Sequence, residues 1–163
     1  YDHAEIGLAV CMGNREEAYE DARKLLAEHR QNLVNGLMYV KERGVIQLEH
    51  IQYFDAGSEI KETIVGIIAG MSSTIVENRN LPIIAFAKTD CGVKVSARGT
   101  QDLIRRGVNL SEAMSIVSAE VGGAGGGHDI AAGATIPESA KEEFARKLNL
   151  FIGEQLRKKA YSG

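Results

Sequence analysis

The sequence predicts an α/β domain, a mixed β-sheet flanked by helices, preceded by a long N-terminal connector helix. Three observations carry this reading. Apolar stripes of helical period alternate with short strand-like segments along the 163 residues, the pattern of a mixed α/β chain. Residues Asn14 to Arg43 keep one helical stripe for thirty positions. Val93 to Arg98 alternates apolar and polar residues directly after a continuous apolar run, Ile83 to Ala87, which pairs a half-buried strand with a fully buried one.

The elements follow in order. Asn14 can cap the first helix, with Glu17 three positions on, as in a capping box. Ala18, Ala22, Leu25, Leu26, His29, Leu33 and Leu37 make its stripe, Gly36 offers a bend and Gly44 a stop. At 1.5 Å per residue such a helix reaches about 45 Å, longer than one small domain needs. It therefore joins two domains or meets another subunit. Val45 to Phe54 is strand-like, and the change of phase at Glu49-His50 marks a bulge or tight turn. Ser58 caps a helix running to about Ile75 through Ile60, Ile64, Ile67, Ile68 and Met71. Pro82 opens the buried strand, and Thr89-Asp90-Cys91-Gly92 turns the chain into the alternating one. Short helices follow from Thr100 and from Ser111. A glycine-rich loop, a strand near Ala134 to Ile136 and a helix from Glu138 to about Lys158 complete the chain. Residues 1–44 read as a connector region and 45–163 as the domain proper.

Composition narrows the function. Hydrophobic residues at 44% and charged residues at 25% exclude a wholly disordered chain. A formal charge of −3 argues against indiscriminate coating of nucleic acid, though not against a local basic face. Cys11 and Cys91 form no ligand pattern, and the expected setting is a reducing cytoplasm. Apolar stretches such as Thr63 to Met71 are too short to span a bilayer. The first residue is Tyr1 rather than Met, as expected of a processed chain or a piece of a larger protein.

Two features can carry chemistry. Alternation places Lys94, Ser96 and Arg98 on the face opposite Val93, Val95 and Ala97. Between Lys88 and Gly107 five basic residues stand against two acidic ones, a patch suited to phosphate contacts or simply a solvated strand face. The second feature runs from Gly122 to Gly133, which holds six of the eighteen glycines. Its N–H groups can form an anion-binding nest, or it can be a tight structural turn. It lacks the lysine and hydroxyl of a Walker loop and the preceding strand of a Rossmann turn. His128 follows the nest, fit to bond a phosphate or a base edge. His3, His29 and His50 read as structural or solvated. No metal site, carboxylate pair or nucleophile–base set is legible, so no catalytic residue is assigned.

Val-Lys-Val-Ser-Ala-Arg-Gly-Thr at 93–100 and Gly-Gly-Gly-His-Asp-Ile-Ala-Ala-Gly-Ala at 125–134 together resemble the C-terminal DHH-associated domain of the DHH phosphoesterase superfamily. The likeness is greatest to the archaeal RecJ-type proteins, and it extends from about Val45 onward. It implies a substrate-binding domain that presents single-stranded nucleic acid or a short oligonucleotide to a DHH domain bearing two manganese (or magnesium) ions. By position, Ser96 and Arg98 would contact a phosphate, with Lys94 beside them. Gly125, Gly126, Gly127 and His128 would hold the nucleotide, and Ala131, Ala132 and Gly133 would line the pocket. No DHH triplet occurs in the sequence, and Asp2-His3 is too little to count. The resemblance therefore implies a separated domain, without cofactor of its own and inactive alone, whose first helix is the interdomain connector. Other readings are a non-catalytic adaptor that docks on replication or repair partners through that helix, a homo-oligomer formed through it, and a small-nucleotide sensor.

Overall fold

A computed structural model of the chain describes residues 3–14 and 16–161. Asp2, and Arg15 within the expected first helix, lie outside the described residues. The elements are α1 (Ala4–Cys11), α2 (Glu17–Arg43), β1 (Ile46–Gln47), β2 (Gln52–Asp55), α3 (Glu62–Ser72), β3 (Ile83–Thr89), β4 (Gly92–Arg98), α4 (Gln101–Arg105), α5 (Leu110–Glu120), β5 (Ala124–Gly127), β6 (Ala131–Ile136) and α6 (Lys141–Tyr161). A 3-10 turn, Glu138–Ala140, leads into α6.

The six strands form one mixed sheet in the order β1-β2-β3-β4-β6-β5. Only β2 and β3 are parallel, joined by the α3 crossover; the other neighbours are antiparallel. The phase change at Glu49-His50 is a tight turn, closed by Leu48 N–H donating to the Ile51 carbonyl at 2.9 Å. β3 is buried on both faces because apolar residues occupy both of its phases. Ile84 and Phe86 join Val95, Met114, Phe144 and Leu148 in one core. Ile83, Ala85 and Ala87 join Phe54, Val65 and Ile68 in the other. The sheet is thus the middle of three layers, and both cores are contained within this chain.

Several boundaries differ from the sequence reading. The short helix α1 was not foreseen; it buries no residue, so no apolar stripe betrays it. Asn14 Oδ1 accepts from Ala18 N–H at 3.3 Å, but α2 starts only at Glu17. α2 runs through Gly36 without interruption. A Cβ there would come within 2.6 Å of Ile68 Cδ1, so the glycine lets α2 and α3 approach closely. α3 starts at Glu62, not after Ser58, and its N-cap position is Lys61, which supplies no side-chain cap. Thr100 caps α4 as expected, whereas α5 is capped by Asn109, whose Oδ1 accepts from Glu112 N–H at 3.0 Å. The expected glycine loop is largely a strand, β5, at the sheet edge. No helix among the described residues is long and apolar enough to cross a membrane.

Candidate functional site

Strand alternation builds the site. Val93, Val95 and Ala97 of β4 enter the core shared with α5 and α6, so Lys94, Ser96 and Arg98 face the α3 side. The registers then extend three rows across the sheet. Arg98 pairs with Ala131; Ser96 with Gly133, and Gly133 with Gly126; Lys94 with Thr135, and Thr135 with Ala124. α3 packs on β3 and β4, whereas α5 packs on β5 and β6 from the opposite face. On the α3 side β6 and β5 stay open: Ala124 and Thr135 are exposed, and Ala131, Gly133 and Gly126 are partly so. The result is a floor of almost bare backbone with a cation at one corner.

The basic strand face is solvated only in part, because α3 covers its Ser96 and Arg98 end. Ser96 is buried and Arg98 is half-buried, so that desolvation lowers its guanidinium below the ordinary value. Two glycines of α3 make room for it. A Cβ at Gly66 would lie 2.6 Å from Arg98 Nη2 and 3.2 Å from Ser96 Oγ, and one at Gly70 would lie 3.9 Å from Arg98 Cγ and Cδ. Arg98 Nη1 donates to the carbonyl of Ala97 at 2.8 Å, and among the described residues no carboxylate pairs with it. A guanidinium has five N–H donors, so most remain available. Lys94 is exposed and stands four residues along the strand, about 13 Å from Arg98. The structure does not bring these two together.

The glycine motif is also rearranged. Gly125 to Gly127 do not form a nest, because β5 is extended and laddered to β6. Gly125 and Gly127 pair with Ala134 and Ala132, which belong to the α5-side core. A Cβ on Gly125 would come within 2.8 Å of both Ala134 Cβ and the Met114 carbonyl oxygen. Close packing of strand on helix requires that glycine. Ala131, Ala132 and Gly133 do not line one pocket as a block, since alternation turns Ala132 into the core while Ala131 and Gly133 face the open side. His128 is exposed in the turn between β5 and β6, its N–H donating to the Ala131 carbonyl at 2.9 Å. Because Ala131 pairs with Arg98, His128 lies at the Arg98 end of the floor.

Behind Arg98 a cavity of about 240 Å³ opens between α3 and the ends of β3 and β4. Gln52, Ser73 and Arg79 line it together with Arg98 and Ala131. Of these, only Arg98 and Ala131 were singled out in the sequence; Gly66 and Gly70 were missed as well. Their four-residue spacing within an isoleucine-rich helix was the visible signal, since it puts both on one helical face. Among the described residues no group of three or more His, Cys, Asp or Glu is placed to hold a metal ion. The residues present do not fit the metal pair that the resemblance implies for another domain.

The fold and cleft define a three-layer α/β domain with a half-buried cation, without a carboxylate partner among the described residues, beside an open sheet floor. The model of the DHHA1 domain matches residues 49–154, and the chain belongs to that family, as its two motifs led us to expect. It is 38% identical over 153 residues to the uncharacterized protein MJ0831 of Methanocaldococcus jannaschii. That match takes in 94% of this chain and 32% of the relative, so the chain spans about a third of the relative's length. Among solved structures, it is similar to RecJ of Thermus thermophilus in complex with Mn2+, with TM-score 0.72 and 17% identity over 94% of this chain and 22% of that one. It is also similar to an exonuclease RecJ bound to manganese, with TM-score 0.64 and 18% identity over 83% of this chain and 31% of the other. At these identities the structural likeness speaks for the fold.

Proposed function

We propose that this chain is the substrate-binding part of a RecJ-like, metal-dependent phosphoesterase or exonuclease, holding single-stranded nucleic acid or a short oligonucleotide on its open sheet floor. The observation that carries this reading is Arg98, a guanidinium partly removed from water, without a carboxylate partner among the described residues, and seated beside backbone that carries almost no side chains. Such a group is costly to bury unless a ligand supplies the missing charge, and a sugar-phosphate chain can approach glycine and alanine backbone closely. Ser96 and Arg98 hold a phosphate, His128 meets the chain at the same end of the floor, and Gly126, Ala131 and Gly133 let it lie against the sheet. Lys94 adds attraction at the far end. The two manganese or magnesium ions belong to a DHH domain outside these residues, to which residues 1–44 connect.

Fluorescence anisotropy with a labelled single-stranded oligonucleotide tests this reading. Arg98→Ala should weaken binding by about ten-fold or more, as expected for one charge-assisted phosphate contact. Unchanged affinity in a folded variant would refute it. A second reading, a docking adaptor, draws on the exposed Tyr19, Leu26, Val34 and Met38 of α2. It predicts no nucleic-acid binding at all.

A further inference from the structure

α1 is shaped by local rules and buried by nothing in this chain. It ends in a Schellman motif: Asn14 N–H donates to the Ala9 carbonyl at 3.0 Å and Gly13 N–H to the Val10 carbonyl at 3.1 Å, with Gly13 at φ +97°. Of its eight residues only Glu5 is charged; Ile6, Leu8, Val10 and their small neighbours are apolar, and none of the eight is buried. Isolated helices are marginal in water below roughly 12–15 residues. A helix that is apolar on all sides is normally an enclosed one. The element on which α1 packs is α2, which leaves its outer side open.

The open side continues onto α2. Leu8 is 62% exposed and Met12, four positions on, 80%. Tyr19 and Leu26, seven residues apart, share one face of α2 and are each about half exposed. Between the two helices lies a cavity of about 280 Å³, which Ile6 and Gly7 line from α1 and Ala22, Leu25 and Leu26 from α2. Leu26 thus joins the two exposed faces into one apolar surface, the kind that marks a protein contact. Four partly exposed side chains fall short of the roughly 800 Å² per partner of a free-standing complex. Contacts between domains of one chain run smaller, from about 600 Å² in total, because the tether supplies the effective concentration.

We infer that α1 and the first half of α2 form the seat of the metal-bearing domain, which buries Leu8, Met12, Tyr19 and Leu26. Size favours a tethered occupant over a second copy. Position agrees, since the patch lies on the half of α2 remote from Gly36 and Val40, where the reading above attaches that domain. The chain spans about a third of its relative's length, so a protein of that size has ample material to cover the patch. The inference rests on the proposed metal-bearing domain and adds the surface that holds it. The boundary between the two bodies then falls within α2, and α1 moves with the metals rather than with the sheet floor.

The test is hydrogen–deuterium exchange, read by mass spectrometry on this chain alone, which carries both of its own cores, and on the full-length protein. In the chain alone, peptides over Ala4 to Met12 should exchange roughly a hundred-fold faster than those over Ile64 to Ala69. In the full-length protein the same α1 peptides should slow by about ten-fold or more. Leu8→Asp combined with Met12→Asp should leave the melting temperature and oligonucleotide affinity of the chain alone unchanged. In the full-length protein it should restore fast exchange over α1 and lower turnover by roughly ten- to a hundred-fold, as misplaced reacting groups do. Slow exchange over α1 in a monomeric chain alone would show that the helix needs no cover and overturn the proposal. So would protection that appears only as the chain dimerises in sedimentation, which would make a second copy the occupant. If the chain binds oligonucleotide while α1 stays unprotected in the full-length protein, the seat fails and the nucleic-acid reading stands. If α1 gains protection but no oligonucleotide binds, the seat stands and that reading fails.

Discussion

Gly66 of α3 and Arg98 of β4, thirty-two residues apart in sequence, meet so closely that a single added methyl would collide with the guanidinium at 2.6 Å. Gly66→Ala should therefore push Arg98 out of its seat and weaken oligonucleotide binding by roughly three- to ten-fold, the range of a coupling between touching residues. In an Arg98→Ala background the same change should cost no further affinity. Additive losses in that double-mutant cycle would show that Gly66 matters for reasons unrelated to Arg98.

Arg98→Met keeps the aliphatic stem against Gly70 and removes the charge. Folding then no longer desolvates a cation that lacks a carboxylate partner among the described residues, so the melting temperature should hold or rise while binding falls by about ten-fold or more. A collapse of the melting temperature with intact affinity would make the residue structural. Lys94→Ala should be milder on binding, because an exposed ammonium about 13 Å away makes a less directional contact.

The glycines of β5 divide by face. Gly125→Ala forces a methyl against Ala134 and the Met114 carbonyl oxygen, and overpacking of this kind costs about 1–3 kcal/mol. Gly123→Ala, just before the strand, drives its Cβ onto the Thr135 carbonyl oxygen and should be at least as damaging. Urea denaturation of the two variants provides the check; wild-type midpoints would mean that strand and helix separate more easily than their packing implies.

His128 is exposed in its turn, so His128→Ala should leave the melting temperature nearly unchanged. In the full-length protein it should lower turnover by roughly ten-fold, the loss of one hydrogen bond to a charged group, while metal content stays constant. Metal analysis, calorimetry and turnover on one preparation separate a substrate contact from a ligand or a structural role.

Much of this fold was legible, for a physical reason. β3 and β4 declare themselves through side-chain periodicity, and Thr100 through capping chemistry. β5 could not be read in the same way, because Ala-Gly-Gly-Gly has no strand propensity and becomes a strand only by pairing with β6. The site was half legible: alternation placed Ser96 and Arg98 on one face, but not that α3 would cover that face. The cavity was not legible at all, since Gln52, Arg79 and Arg98 come to line it only through the crossover from β2 to β3 and the pairing of β3 with β4. Local rules cannot sum contacts of that separation.

The two ends of α2 are held very unequally. Gly36 and Val40 are buried near its C-terminus, where Gly36 meets Ile68, whereas Ala18 is the only buried residue in its first half. Opening free energies should then grade along the 27-residue helix. Amide protons near Leu37 and Val40 should exchange with solvent deuterium only on global unfolding, and those between Ala22 and Arg30 through local fraying. The α1 helix that precedes it is thus coupled to the domain through a stem that softens with distance from α3.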